Sequence, residues 1–428
     1  MTAITVPSPV DDRVRRRAVI ASISGNVLEW YDFAVYGYFA PIIAQKFFPS
    51  DSPDSSLLAA YGAFAAGFLM RPLGGFLFGH LGDRIGRRRT LILSIVMMAV
   101  PTFLIGVLPG YSVIGVWASV LIVAMRMLQG LAVGGEYTTS VIYLVEQAPP
   151  DRRGYYGSWS LFGCIGGILL GSAVGAVIHT IWAAEVHDWA WRVPFLAGLA
   201  VGLTGFILRR GLPESLTDKD KETHKLPLAK AVREEGGAMA RVIGISVVNA
   251  VAFYMIFIYI TVFLERQVGL PAVTALDVNT LSMVAMLVMI PLFARLSDRL
   301  GRKPLLVGAA FGLLSLSYPL LWVMHHADAT TIFLGQLGFS VLIGCYLAVQ
   351  PTAMAEMFSP GVRCSGMAVA YNITMGLVGG TTPMVCTYLI ERTGDDLFIA
   401  WYLMAAAAIS LVVALTLKET AKAPLRSS

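Results

Sequence analysis

Charge is scarce in this chain. Asp, Glu, Lys and Arg make up 14% of its 428 residues, against about 25% in soluble domains, too few to cover a water-facing surface. That shortage excludes an ordinary cytosolic enzyme and a disordered regulator. Cysteine is scarcer still. Cys164, Cys345, Cys364 and Cys386 lie in or beside apolar runs without CxxC spacing, so they form neither a disulfide framework nor a metal cluster. The chain has no phosphate-binding glycine loop and no His/Cys/carboxylate constellation. No ATP use, cofactor, metal site or enzymatic chemistry is therefore expected. What is abundant is apolar: 56% of residues are hydrophobic and the mean hydropathy is +0.70. The net charge of +5 is split among short loops without aromatic interleaving, which argues against nucleic-acid binding.

A bilayer core takes about 20 mostly apolar residues per helix, and the chain holds twelve such runs. The expected order is a cytoplasmic segment (1–17), six spans (18–208), a polar cytoplasmic linker (209–241), six more spans (242–417) and a cytoplasmic tail (418–428). Basic residues test that count. Nearly all of the 32 Lys and Arg fall in inner segments, leaving Lys46, Arg192, Arg266 and Arg392 outside and Arg71 and Arg126 within spans. This is the positive-inside pattern, and an error of one span would scramble it.

The two six-span halves repeat each other. Phe78-Gly-His-Leu-Gly-Asp83-Arg84-Ile-Gly86-Arg87-Arg88 returns as Phe293-Ala-Arg-Leu-Ser-Asp298-Arg299-Leu-Gly301-Arg302-Lys303. Glu146, Pro150 and Arg153 return with identical spacing as Glu356, Pro360 and Arg363. Duplicated halves mark transporters whose substrate site lies near the midplane between them.

The paired loops, with Arg126-Met-Leu-Gln129-Gly130 in span four, resemble the major facilitator superfamily. Asn26-Val-Leu-Glu29-Trp30-Tyr-Asp32-Phe33, Phe68-Leu-Met-Arg71-Pro72-Leu-Gly74-Gly75 and Gly134-Gly135-Glu136-Tyr137 narrow the resemblance to its metabolite:proton symporter family, from about residue 15 to 417. That family includes 2-oxoglutarate permease and proline/betaine transporters. Two departures are Ala294, where the loop motif has Gly, and a tail without the coiled-coil extension of osmosensing members. The resemblance implies a major facilitator fold in a bacterial inner membrane. It also implies a gating role for Asp83, Arg84, Gly86, Arg87, Arg88, Asp298, Arg299, Gly301 and Arg302. Glu146, Arg153, Glu356 and Arg363 join them as the repeated loop charges.

Charges inside a bilayer need partners or a water-filled cavity. Ser22, Asn26, Glu29, Asp32 and Tyr36 form one stripe of span one. Arg126, Gln129, Glu136 and Ser140 form one stripe of span four. Two polar stripes on apolar helices point to a shared cavity. Glu29, Asp32 and Glu136 outnumber Arg71 and Arg126, leaving one acid in surplus for protonation. The expectation is that Glu29 or Asp32 carries the coupling proton and Arg126, functional by resemblance, binds a substrate carboxylate. The plainer alternative is that these acids only neutralise an arginine. Asn26, Gln129, Glu136, Asn249 and Asn372 are further candidate substrate contacts. Glu136 beside two glycines suits a fixed salt bridge slightly better, and Arg71 before a proline suits a gate or a structural pair as well as a substrate contact. Gly163, Gly167, Gly171 and Gly175 predict close packing against a helix of the other half.

The expectation is an all-α membrane protein of twelve helices in two pseudo-symmetric bundles, monomeric. It would import a small carboxylate, such as a di- or tricarboxylate, together with protons. The alternative is a proline or betaine transporter, because Met384 through Met404 resembles that subgroup. A channel or a membrane-embedded enzyme fits less well.

Overall fold

A computed structural model describes residues 12–51, 53–182, 184–210, 227–326 and 328–426. The described chain is helical, with no strand. Each long apolar run forms a helix because only a helix satisfies its own backbone in lipid. Spans one to six are Asp12–Tyr38, Pro53–Arg84, Arg87–Val107, Val116–Gln147, Arg153–Ile181 and Val193–Arg210. Span seven is Pro227–Phe253, carried through a π-helical turn, Tyr254–Tyr259, into Ile260–Arg266. Spans eight to ten are Ala272–Leu300, Arg302–His326 and Ala329–Glu356. Span eleven is Arg363–Thr374, a second π-helical turn at Met375–Gly379, and Thr382–Thr393; span twelve is Phe398–Leu415.

Eleven helices among the described residues are long and apolar enough to cross a membrane. Span one falls short because Asn26, Glu29 and Asp32 interrupt its apolar run, yet it packs along span five inside the bundle. Residues 227–241, assigned to the linker from sequence, are helical on either side of a kink at Glu235 that leads into span seven.

Within the first half, span two packs on four, one on five, and three on four and six. Within the second, eight packs on ten, nine on ten and twelve, and seven on eleven and twelve. The halves meet where span two lies against eleven and span five against eight.

Glycine sets the closest approaches. A Cβ at Gly130 would run into the Gly67 carbonyl, and one at Gly74 into the Leu131 carbonyl, so spans two and four touch backbone to backbone. The ladder Gly163, Gly167 and Gly171 faces Ile23, Val27, Trp30, Tyr31 and Ala34 of span one. Its partner is therefore in the same half, not across the interface as the spacing had suggested. Small-residue spacing shows that a helix comes close but not which one.

Gly86 and Gly301 occupy the same place in the two repeated loops with φ of 100° and 113°. Residues with a Cβ rarely adopt that conformation, which explains glycine at both positions.

Gly130→Ala should lower the melting temperature in detergent by an amount equivalent to about 1–3 kcal/mol of overpacking. Gly308→Ala, whose Cβ would meet nothing within 4 Å, should leave it unchanged.

Candidate transport site

The deepest charges meet between spans one, three and four. Arg126 Nη1 donates to Asp32 Oδ2 and to Gln129 Oε1, each at 2.9 Å. Both charged side chains are fully buried. Thr102 of span three completes the group: its one hydroxyl proton is shared between Asp32 Oδ1 at 2.9 Å and the Met98 carbonyl at 2.8 Å, and its oxygen accepts from Gln129 Nε2 at 2.9 Å. A charge pair this dry persists only when its remaining polar atoms are satisfied. Asp32 is, but Arg126 is satisfied along one edge only. Its Nε and Nη2 are buried and have no hydrogen-bond partner among the described residues. Its flat face lies over the rings of Phe33, Tyr36 and Phe64 at 4.7, 4.4 and 5.3 Å. The planar fork thus holds one carboxylate and keeps donors for another.

The other candidates from sequence fall into separate groups. Asn26 donates to Ser22 O and Ser140 Oγ at 2.8 and 2.9 Å, tying span one to span four. Glu136 accepts from Ser94 of span three. Arg71 Nε donates to Asn372 Oδ1 at 3.3 Å, and Asn372 Nδ2 donates to the Gly134 carbonyl at 2.5 Å, bonds that cross between the halves. Asn249 donates to Gln350 Oε1 at 2.7 Å within the second half. Glu29 is fully buried, within electrostatic range of Tyr137, Cys164 and Tyr254.

Sequence reasoning missed an aromatic circuit. Trp30 contacts Phe33 at 6.2 Å between ring centroids, Phe33 contacts Phe68 at 5.1 Å, and Phe68 contacts Tyr254 at 5.7 Å. Tyr254 contacts Phe253 and Phe253 returns to Trp30, at 5.7 and 5.8 Å. The circuit joins spans one, two and seven across both halves, beside the face of Arg126. Its only trace in sequence is aromatic spacing, which also describes ordinary packing.

At the end of the bundle that carries the loop arginines, the halves are pinned by charge. Arg153 of span five reaches Glu356 at 3.2 Å, and Arg363 of span eleven reaches Glu146 at 2.7 Å. Arg302 adds contacts to Asp298 at 2.8 Å and to Glu356 at 3.4 Å. Asp298 accepts from the Gly154 and Tyr155 amides at 2.8 and 2.9 Å, so a carboxylate of the second half caps the positive end of span five. Arg84 and Arg299 are exposed, and the side chains of Asp83 and Arg87 lie outside the described residues. Arg88 is half-buried.

Two duplicated six-helix bundles, a fully buried charge pair between spans one, three and four and an ion network across the halves at one end fit a secondary transporter. The comparisons with known proteins agree. The family model "Sugar (and other) transporter" matches residues 17–245, and the model "Major Facilitator Superfamily" matches 242–427. The proline/betaine transporter of Salmonella typhimurium (strain LT2) is 35% identical over 98% of this chain and 86% of its own length. The alpha-ketoglutarate permease of Escherichia coli (strain K12) is 33% identical over 99% of this chain and 98% of its own. The proton:xylose symporter XylE with a bound sugar analogue superposes with a TM-score of 0.81 at 18% identity, over 97% of this chain and 98% of that one. The chain belongs to the major facilitator superfamily and is a multi-pass membrane protein, not an enzyme.

Replacing Glu356 by Ala would take from Arg153 the carboxylate it pairs with among the described residues and leave Arg302 with Asp298 alone. Breaking a buried pair in this way costs about 3–5 kcal/mol, and the melting temperature in detergent should fall accordingly.

Proposed function

We propose that the protein is a proton-coupled importer of the cytoplasmic membrane for a small zwitterion carrying a carboxylate and a cationic nitrogen, such as proline or betaine. The observation that carries this reading is Arg126, with one edge on Asp32 and the other without an acceptor among the described residues. The free edge is the substrate-carboxylate site. Trp30, Phe68, Phe253 and Tyr254 supply the electron-rich faces that a quaternary or secondary ammonium prefers, with the Glu29 carboxylate in the same region. Among the relatives, several transport proline, betaine or ectoine by name. They favour this substrate class over the di- or tricarboxylate suggested by the arginines alone. That second reading keeps one observation: Arg71 and Arg126 are two buried cations, and a relative of matching length is an alpha-ketoglutarate permease.

Coupling follows from the pair. While Asp32 is ionised it competes with the substrate for Arg126. A proton on Asp32 weakens that bond and frees Arg126 for an incoming carboxylate. Proton and substrate then load together, and the loaded carrier has a neutral Asp32 and a paired Arg126. Thr102 and Gln129 hold the two side chains in register in either state. Glu29 remains a second candidate for the proton. With positive loops inside, the ion network lies at the cytoplasmic mouth. There Glu146, Arg153, Asp298, Arg302, Glu356 and Arg363 close the inner gate while the site faces outward.

Proteoliposomes with an imposed pH gradient should accumulate labelled proline or betaine and lose that accumulation on addition of a protonophore. Saturable accumulation of 2-oxoglutarate alone would favour the second reading. Asp32→Asn should abolish uphill uptake by at least about ten-fold, the share expected when a buried partner worth about 1.4 kcal/mol or more is lost, while exchange of preloaded substrate persists. If Asp32→Asn accumulates normally and Glu29→Gln does not, the proton belongs to Glu29.

A further inference from the structure

The chain does not leave the bundle after its last span. Residues 416–426 turn back across the basic end, and Leu417 and Ala421 are buried there. Glu419 takes the start of span nine: Oε1 accepts from the Arg302 amide at 2.9 Å and Oε2 from the Lys303 amide at 3.0 Å. Burial pushes this carboxyl up, but backbone donors from Ala421, Arg302, Lys303 and Thr420 outweigh it and hold it below the usual value. Thr420 Oγ1 donates to Glu356 Oε2 at 2.5 Å. Arg426 Nη1 donates to Glu235 Oε2 at 2.8 Å and to the Met357 carbonyl at 2.7 Å. All of these bonds dock the tail on the second half.

One set runs to the other half. Arg153 Nη2 donates to the carbonyls of Thr420, Ala421 and Ala423 at 3.3, 3.2 and 2.5 Å. Its Nη1 holds Glu356 at the same time. Arg153 begins span five, so it moves with the first half when the mouth parts. The tail stays with the second. Opening therefore has to strip three carbonyls from a buried guanidinium in addition to breaking the ion pairs, and stripping hydrogen bonds from a buried charge is costly.

We propose that residues 416–426 are a latch: docked on the second half and gripped by Arg153, they hold the cytoplasmic mouth shut, and their release is a step in opening it. The proposal rests on the basic end being that mouth and is independent of which substrate is carried. Because the bonds to Arg153 exist only in the closed state, losing them shifts the population towards the open one.

The probe is a cysteine at Thr352, which is fully buried and whose hydroxyl faces the Arg153 carbonyl at 3.5 Å. The four native cysteines, all buried, are replaced by alanine. Labelling of Thr352→Cys by a small maleimide is then followed in proteoliposomes without substrate. Thr420→Val and Arg426→Ala each leave the proposed transport site untouched. Each should raise the labelling rate about five-fold or more, the population change that follows from roughly 1 kcal/mol. Removal of residues 418–428 should raise it further. A lowered melting temperature with unchanged labelling in both point variants would make the tail a structural strap and overturn the proposal. Those variants decide the matter even where the shortened chain does not fold.

Discussion

The reciprocal exchange of partners between two copies of one loop underlies the closed end of this molecule. Glu146 and Arg153 stand in the first half as Glu356 and Arg363 stand in the second. In the fold each arginine finds the glutamate of the opposite copy. An arginine withdrawn from water is costly unless an acid meets it. Either half alone would carry an acid and a base at its mouth, spaced along the chain and not paired with each other. Closure satisfies both at once. The cap of Asp298 on span five and the bonds of the tail are arranged around that arrangement, and both would lose their geometry if it parted.

A second layer of charge lies deeper and is fully buried. Arg126 and Asp32 sit where bulk water is excluded, and there a proton or a carboxylate changes the energy far more than it would at a surface. The two layers of charge differ in kind. The Glu/Arg pairing between the loops is duplicated, whereas the deep pair is not. Gln336 occupies the place in span ten that corresponds to Arg126, by the same sequence offset that separates Glu146 from Glu356. It donates to Asn279 Oδ1 at 2.7 Å, a neutral amide pair. The second half therefore matches the first in shape while the permanent charge of the core is kept on one side.

Much of this was legible in the sequence, because the bilayer leaves few alternatives. Apolar run lengths and basic loops are enough for the helices and the repeat, and the helical stripe of Asp32 with that of Arg126 and Gln129 located the central pair. Thr102 was not legible: like any threonine in an apolar span it bonds to its own helix backbone, at Met98, and no sequence pattern marks the further contact with Asp32. Asn26 lies on the stripe of Asp32 but turns to Ser140, since a stripe defines a face and not a destination. The aromatic circuit draws on three helices of two halves, and no local spacing encodes that meeting. The helix within residues 227–241 was not legible either, because that stretch is polar and a kink at Glu235 sets its start apart from the apolar run of span seven. The tail reads as an ordinary charged end until Arg153 is seen to grip its backbone.

The two π-helical turns, Tyr254–Tyr259 and Met375–Gly379, both belong to the second half, and Gly379 lies against the Tyr254 ring. A wide turn leaves the regular ladder of backbone bonds and lets a helix bend there. No described helix of the first half has one, and glycine contacts staple its spans together. Sequence duplication has thus yielded two unlike halves: the turns at which a helix can bend lie in the second, and the buried Arg126–Asp32 pair lies in the first.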